Sequence, residues 1–416
     1  MDRAPRRGAT QVAAQATGDP PAPALALNPT PVGGAPRVLI LFSDTGGGHR
    51  AAARALTDAL KLLDPSCEVT VADPLMGHGP VVIRRLASLY SPMIRSSRTA
   101  WGAVYHTSNT RPTFAGIRAV FGPTVRKTVG QLLERHDPDV VLSVHPLLNH
   151  VAHQAIRKGG RARALMTVIT DLVDFHRGWT FSQADLVIAP TERARKVALR
   201  RRVPPDRVKL LGLPVDLRFR PPAPGEKQAL RRRFGVEEQR FTILIMGGAA
   251  GVGHLAAQVR ELAMDRHPWQ LVVVCGRNEK LRRRLLEMDA ATPMLVLGFV
   301  DYMPDLMRAC DLVVTKAGPG AIAESLATGL PLVLTGFLPG QESPNVDFVV
   351  ESGIGAFAPK EPELLEEVRV LAEGGPTWRE MSRKAADLAR PYASTDIARE
   401  CLLLAASYRA STQASR

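Results

Sequence analysis

No stretch of about 18 uncharged apolar residues, the length a bilayer-spanning helix needs, occurs anywhere in the chain, so none of it is expected to cross a membrane. Cysteine is scarce. The four residues Cys67, Cys275, Cys310 and Cys401 lie too far apart for a zinc-binding spacing. That usage fits buried thiols in a reducing compartment rather than a disulfide framework. The first 36 residues lack the roughly 7–15 apolar residues of a secretory signal. Their Ala, Pro, Gly and Thr content reads as a disordered tail over 1–36. Aromatics make up only 5% and the usual nucleic-acid recognition motifs are missing, which counts against nucleic acid as a partner.

Acidic residues are missing locally. Residues 75–127 contain no Asp or Glu, while the net charge of +14 is concentrated in the N-terminal half. Lys and Arg outnumber Asp and Glu by 31 to 16 over residues 1–220, and fall short by 23 to 24 over residues 221–416. One-sided charge points to an anionic partner. In 75–127 the basic residues, Arg84 and Arg85 among them, are interleaved with aliphatic and aromatic side chains such as Trp101. A basic amphipathic segment of that kind suits an anionic lipid surface; the same pattern also fits a helix packed on a domain core.

At 416 residues the chain is long enough for two domains, each with its own core. Val38–Phe42 is a continuous apolar run, as in a strand buried on both faces of a parallel sheet. Strand-like and helix-like stretches then alternate as far as residue 213, break at the Pro-rich linker 214–225, and restart at Phe241–Met246. The expected architecture is therefore α/β, with two doubly wound domains spanning 37–213 and 226–395. A final helix over 396–416 is expected to pack back toward the first domain. Ligands of open parallel sheets sit at the carboxyl ends of the strands, which here puts them between the two domains.

Two Gly-rich strand-to-helix turns carry the candidate chemistry. In the first, Ser43-Asp44-Thr45-Gly46-Gly47-Gly48-His49, the glycines allow a sharp entry into a helix. His49 stands just past them, where a neutral imidazole can accept a proton from a hydroxyl; a plain capping histidine fits as well. Asp44 is placed either to orient that base or its acceptor, or to cap the helix. In the second turn, Thr315–Ser325, the free N–H groups near Gly318, Gly320 and Ala321 can receive a diphosphate, helped by the helix dipole. Glu324, one turn further on, can accept the two hydroxyls of a ribose, or be an ordinary surface residue. Gln341 and Glu342 lie on a loop beyond a strand and can grip sugar hydroxyls, or form a polar turn. No Asp-x-Asp pair follows a strand where a metal-dependent sugar transferase would need it, so neither a metal nor a cofactor is called for.

The motifs SDTGGGHR, SVHPLLNHV (143–151), VITDL (168–172), GLPV (212–215), CGRNEKL (275–281) and TKAGPGAIAESLATGLPLVLTGFLPGQESPNV (315–346) resemble those of the monogalactosyldiacylglycerol synthase family, in order, from about Arg37 to about Tyr392. The resemblance implies a GT-B fold, with two Rossmann-like domains facing across a cleft. It also implies an inverting transfer of galactose or glucose from a UDP-sugar to the 3-hydroxyl of 1,2-diacylglycerol, giving a β-glycosyl diacylglycerol. Carried over by position, His49 matches the base or acceptor-site histidine. Gly320, Ala321, Ile322, Ala323 and Glu324, with Glu342, Asn345 and Val346, match the UDP-sugar segment. Gly247, Gly248, Arg277 and Phe299 border the nucleotide, and Trp179 matches a tryptophan linked to the acceptor or an anionic lipid. The chain departs from the family at Gly247–Gly251 and over 75–127. A UDP-sugar transferase acting on a polyprenyl-linked acceptor, or a UDP-sugar epimerase, is the alternative. The expected setting is cytoplasmic, peripheral on the inner face of the cell membrane.

Overall fold

The computed structural model of the protein describes residues 34–44, 47–77, 85, 98–247 and 255–414. The first domain is a six-stranded, wholly parallel sheet in the order β2-β1-β3-β4-β5-β6. Its strands are β1 Arg37–Leu41, β2 Glu68–Ala72, β3 Val140–Ser143, β4 Ala164–Val168, β5 Leu186–Ala189 and β6 Val208–Leu210. The helices around it are α1 Gly47–Leu63, α2 Arg98–Ser108, α3 Arg111–His136, α4 Asn149–Lys158 and α5 Glu192–Arg200, with a short 3-10 turn at Arg177–Trp179. β3, β4 and β5 are buried along their whole length, as strands covered on both faces must be.

The second domain repeats the plan with strands in the order β12-β11-β10-β7-β8-β9. They are β7 Phe241–Met246, β8 Trp269–Val274, β9 Met294–Leu297, β10 Leu312–Thr315, β11 Leu332–Leu334 and β12 Gly355–Phe357. Its helices are α6 Glu226–Phe234, α7 Leu255–Met264, α8 Glu279–Leu286, α9 Met303–Ala309, α10 Pro319–Thr328, α11 Ser343–Glu351, α12 Glu361–Ala372 and α13 Pro376–Leu388. In each sheet the strand order reverses beside the first strand, between β1 and β3 and between β7 and β10. A crevice opens at such a switch point.

The last helix, α14 Ala393–Ala414, leaves the second domain and lies against α1, β3 and β4. Ile397, Ala398, Cys401 and Ala405 enter the same core as Val38, Ile40 and Leu56. Tyr408 donates to Asp185 at 2.7 Å, and Arg409 bonds both Asp139 and the backbone carbonyls of Gly34 and Ala35. The expected tail 1–36 lies outside the described residues except for Gly34–Pro36, which this arginine anchors. Between the domains, Leu213, Val215 and Phe219 join a core made mostly of second-domain residues, together with Leu172 of the first. Gly212 has φ +103°, and a Cβ there would lie 2.6 Å from Arg390 Cβ and 2.9 Å from Ala393 Cβ, so the chain can pass so close to the start of α14 only as glycine.

Candidate active site

His49, His145 and the pair Thr170–Asp171 follow β1, β3 and β4, three neighbouring strands, so parallel pairing brings them to one edge of the first domain. Thr170 Oγ1 lies 3.1 Å from His49 Nδ1, and the backbone of Val144 also hydrogen-bonds the ring. The rings of His145 and Trp179 stand 4.7 Å and 6.1 Å from it, centroid to centroid. Burial pushes the His49 pKa down to about 4, and outweighs the opposing bond to Val144. The imidazole is therefore neutral at ordinary pH, the form a general base needs. His145, buried against it, is held well below the usual histidine range by desolvation and by His49 itself.

Asp44 does not orient that base. Its carboxylate is taken by Arg50, at 2.6 Å and 3.1 Å, on the exposed side of α1. Trp179 is fully buried, so it meets neither solvent nor lipid; its indole N–H donates to Asp171 Oδ2 at 2.7 Å. Trp101 is likewise buried, packed with Tyr105 against Leu338 of the second domain. Both tryptophans are apolar enough to be drawn inward, and Trp179 finds a partner for its N–H there. Arg85 is exposed; Arg84 lies outside the described residues.

Across the crevice, α10 starts with Gly318 as its N-cap and Pro319 as its first residue. Gly320 and Ala321 therefore present backbone N–H groups with no carbonyl one turn back to accept them. Ile322 points into the core and can contribute only backbone, while Ala323 is half-buried. Glu324 lies beside Asp216; desolvation chiefly, and that neighbouring charge, raise its pKa to about 8. Glu342 is only 3% exposed and both its oxygens are engaged, one by the Lys316 ammonium and the other by the Leu338 N–H at 2.8 Å. It is a buried anchor, not an open grip on a sugar. Asn345 donates to the Ala317 carbonyl at 2.9 Å and braces the same turn. Further along, Arg277 lies over the exposed Phe299 ring, 5.5 Å from its centroid. Gly247 follows β7; Gly248 falls outside the described residues.

The two sides meet at Gln341. Its side chain faces Asp171 and favours the ionised carboxylate, yet that carboxyl is pushed up to about 6, mainly by burial. Gln341 Oε1 is buried with no partner among the described residues. Gly340, with φ +81°, lies so close to Tyr105 that a Cβ would be 2.9 Å from its ring. Thr170, Asp171, His145 and Lys316 were not singled out from the sequence, although each stands at or just beyond the carboxyl end of an apolar strand, where such sheets place ligands. No group of His, Cys, Asp and Glu able to hold a metal occurs among the described residues.

Residues 49–215 match the family model described as monogalactosyldiacylglycerol (MGDG) synthase, and residues 242–353 match the glycosyltransferase family 28 C-terminal domain. The chain is 35% identical over 370 residues to monogalactosyldiacylglycerol synthase 1, chloroplastic, of Arabidopsis thaliana, covering 86% of this chain and 69% of that protein. It is 36% identical over 368 residues to a probable monogalactosyldiacylglycerol synthase, chloroplastic, of Nicotiana tabacum, covering 85% and 68%. The crystal structure of MurG from Acinetobacter baumannii superposes with a TM-score of 0.56 at 16% identity, covering 87% of this chain and 98% of MurG, which shows the GT-B fold. The expected cytoplasmic setting at the inner face of a cell membrane is corrected by the same comparison, since both relatives are named chloroplastic. With sequence, fold and site in agreement, the chain belongs to the monogalactosyldiacylglycerol synthase family.

Proposed function

We propose that the protein transfers galactose from a UDP-linked donor to the 3-hydroxyl of 1,2-diacylglycerol, with inversion at the anomeric carbon, and works at an anionic membrane surface. The observations that support the reading are a half-buried, neutral His49 just beyond β1 and the free N–H groups at the start of α10, in two domains that meet where Gln341 faces Asp171. His49 removes the proton as the acceptor hydroxyl attacks the anomeric carbon. The diphosphate departs onto Gly320 and Ala321, where the helix dipole favours the charge it gains. Gln341 Oε1 is an unpaired acceptor suited to a sugar hydroxyl, and Glu324 is suited to the ribose. The Arg277–Phe299 pair offers a flat face to the uracil.

Membrane docking is supported by the outer face of the first domain. On α3 the exposed Ala115, Ala119, Val120 and Pro123 form an apolar strip flanked by Arg111, Arg118 and Lys127. Beside it lies a cleft of about 370 Å³ lined by Arg118, Arg126, His150, His153, Arg157 and Lys158. Arg111, Arg177, Arg200, Arg201 and Arg202 line a second, of about 230 Å³. Among the described residues, no acidic one lines either cleft. Each cation near an anionic surface contributes about 1 kcal/mol of attraction.

The test is product analysis with labelled UDP-galactose and UDP-glucose, each offered with diacylglycerol in mixed micelles. A β-galactosyl lipid is expected. Failure to form glycolipid from either donor overturns the reading, and interconversion of the nucleotide sugars without lipid would favour an epimerase.

A further inference from the structure

We propose that Lys316 is the side chain that holds the departing diphosphate, and that Glu342 serves the reaction by positioning this lysine. The inference rests on the donor reading above and adds a residue to it. Lys316 stands directly after β10, and Gly318 N–H bonds back to the Lys316 carbonyl at 2.7 Å. That tight turn folds the lysine over the start of α10. A Cβ built on Gly318 would lie 3.5 Å from Lys316 Nζ and 3.9 Å from Glu342 Oε1, so the ammonium rests against the helix N-cap.

An ammonium has three donors. Glu342 is the one hydrogen-bond partner of Lys316 Nζ among the described residues, and the lysine side chain is 36% exposed against 4% for that of Glu342. Two N–H groups remain for a ligand at the helix start. The carboxylate is fixed from behind by the Leu338 N–H, and its own backbone N–H bonds the Leu338 carbonyl at 2.9 Å. A buried, fully bonded carboxylate is a poor partner for sugar hydroxyls but a rigid anchor for a flexible lysine, whose long side chain otherwise spreads over many rotamers. As the bond between the anomeric carbon and the diphosphate oxygen breaks, its electron pair stays on that oxygen. The charge appears beside Gly320 and Ala321, within reach of a cation already held in place.

Binding of UDP and of uridine, which lacks the phosphates, separates this role from damage to the fold. Lys316→Gln is expected to weaken UDP at least 10-fold while uridine affinity stays within 2-fold, and to lower kcat. Lys316→Arg is expected to recover part of both. Glu342→Gln, which keeps the shape but loosens the lysine, is expected to weaken UDP less than Lys316→Gln does. Unchanged UDP affinity in Lys316→Gln, or equal loss of UDP and uridine, overturns the proposal while leaving the donor reading intact. A wild-type protein that binds no UDP removes both.

Discussion

Trp179 donates its indole N–H to Asp171 at 2.7 Å, and Gln341 of the opposite domain faces the same carboxyl. The Trp179 ring stands 6.1 Å from His49. One buried carboxyl therefore lies between the wall behind His49 and a loop of the second domain. Replacing Trp179 by Phe keeps most of the packing but removes the donor to a buried oxygen, a change worth about 1–3 kcal/mol. Chemical denaturation is expected to show that loss, and turnover to fall with it. Unchanged stability would mean that the bond contributes nothing.

His49 is expected to control chemistry rather than donor binding. His49→Ala should lower kcat by about 10²–10⁴, the usual worth of a positioned proton acceptor, with UDP affinity within 2-fold of wild type. Near-normal turnover would remove the base assignment. Because the ring titrates at about 4, its own protonation lies too low to shape the activity profile near neutrality.

Asp171 titrates higher. Burial raises its pKa to about 6, so above that pH the carboxylate accepts from Trp179 and faces Gln341 as an anion, and below it both interactions weaken as the group takes up a proton. Activity should therefore fall on acidification with an apparent pKa near 6, and Asp171→Asn should flatten that limb. As for stability, a carboxyl whose folded pKa exceeds its unfolded one binds more protons when folded, so this group favours folding increasingly as pH drops from 6 toward 4. A kcat profile with its acid limb unmoved in Asp171→Asn would refute the assignment.

Glu324, at about 8, carries its proton at neutral pH. Accepting two ribose hydroxyls favours the ionised form. UDP binding at pH 7 should therefore release a proton, seen in calorimetry as a binding enthalpy that varies with the ionisation enthalpy of the buffer. Glu324→Gln should abolish the variation. Proton-neutral binding in the wild type would show that the carboxyl does not change state.

Membrane docking through the α3 face predicts salt-sensitive binding to anionic vesicles, weakened at least 10-fold by the pair Arg118→Glu and Arg126→Glu, with UDP affinity preserved. Vesicle sedimentation measures it. Retained vesicle binding in the charge-reversed protein would place the contact elsewhere.

Local signals carried the two-domain α/β plan, because apolar runs such as Val38–Phe42 and Phe241–Met246 and the glycine turns that follow them depend only on neighbours in sequence. They also marked His49 and Gly320, since a strand-to-helix turn fixes both by backbone geometry. Long-range pairing decided the rest. Asp44 was equally able to serve the base or to cap a helix until Arg50 claimed it, and Glu342 was a candidate sugar ligand until Lys316 and Leu338 enclosed it. Trp101 reads as an interfacial aromatic in the sequence and Trp179, through the resemblance, as one linked to the acceptor or an anionic lipid, yet each is buried, Trp179 behind His49 and Trp101 against Leu338. Which partner a polar side chain finds, and which face an aromatic shows, is set by strands that register side by side although about a hundred residues separate β1 from β3. Composition and spacing carry no record of that.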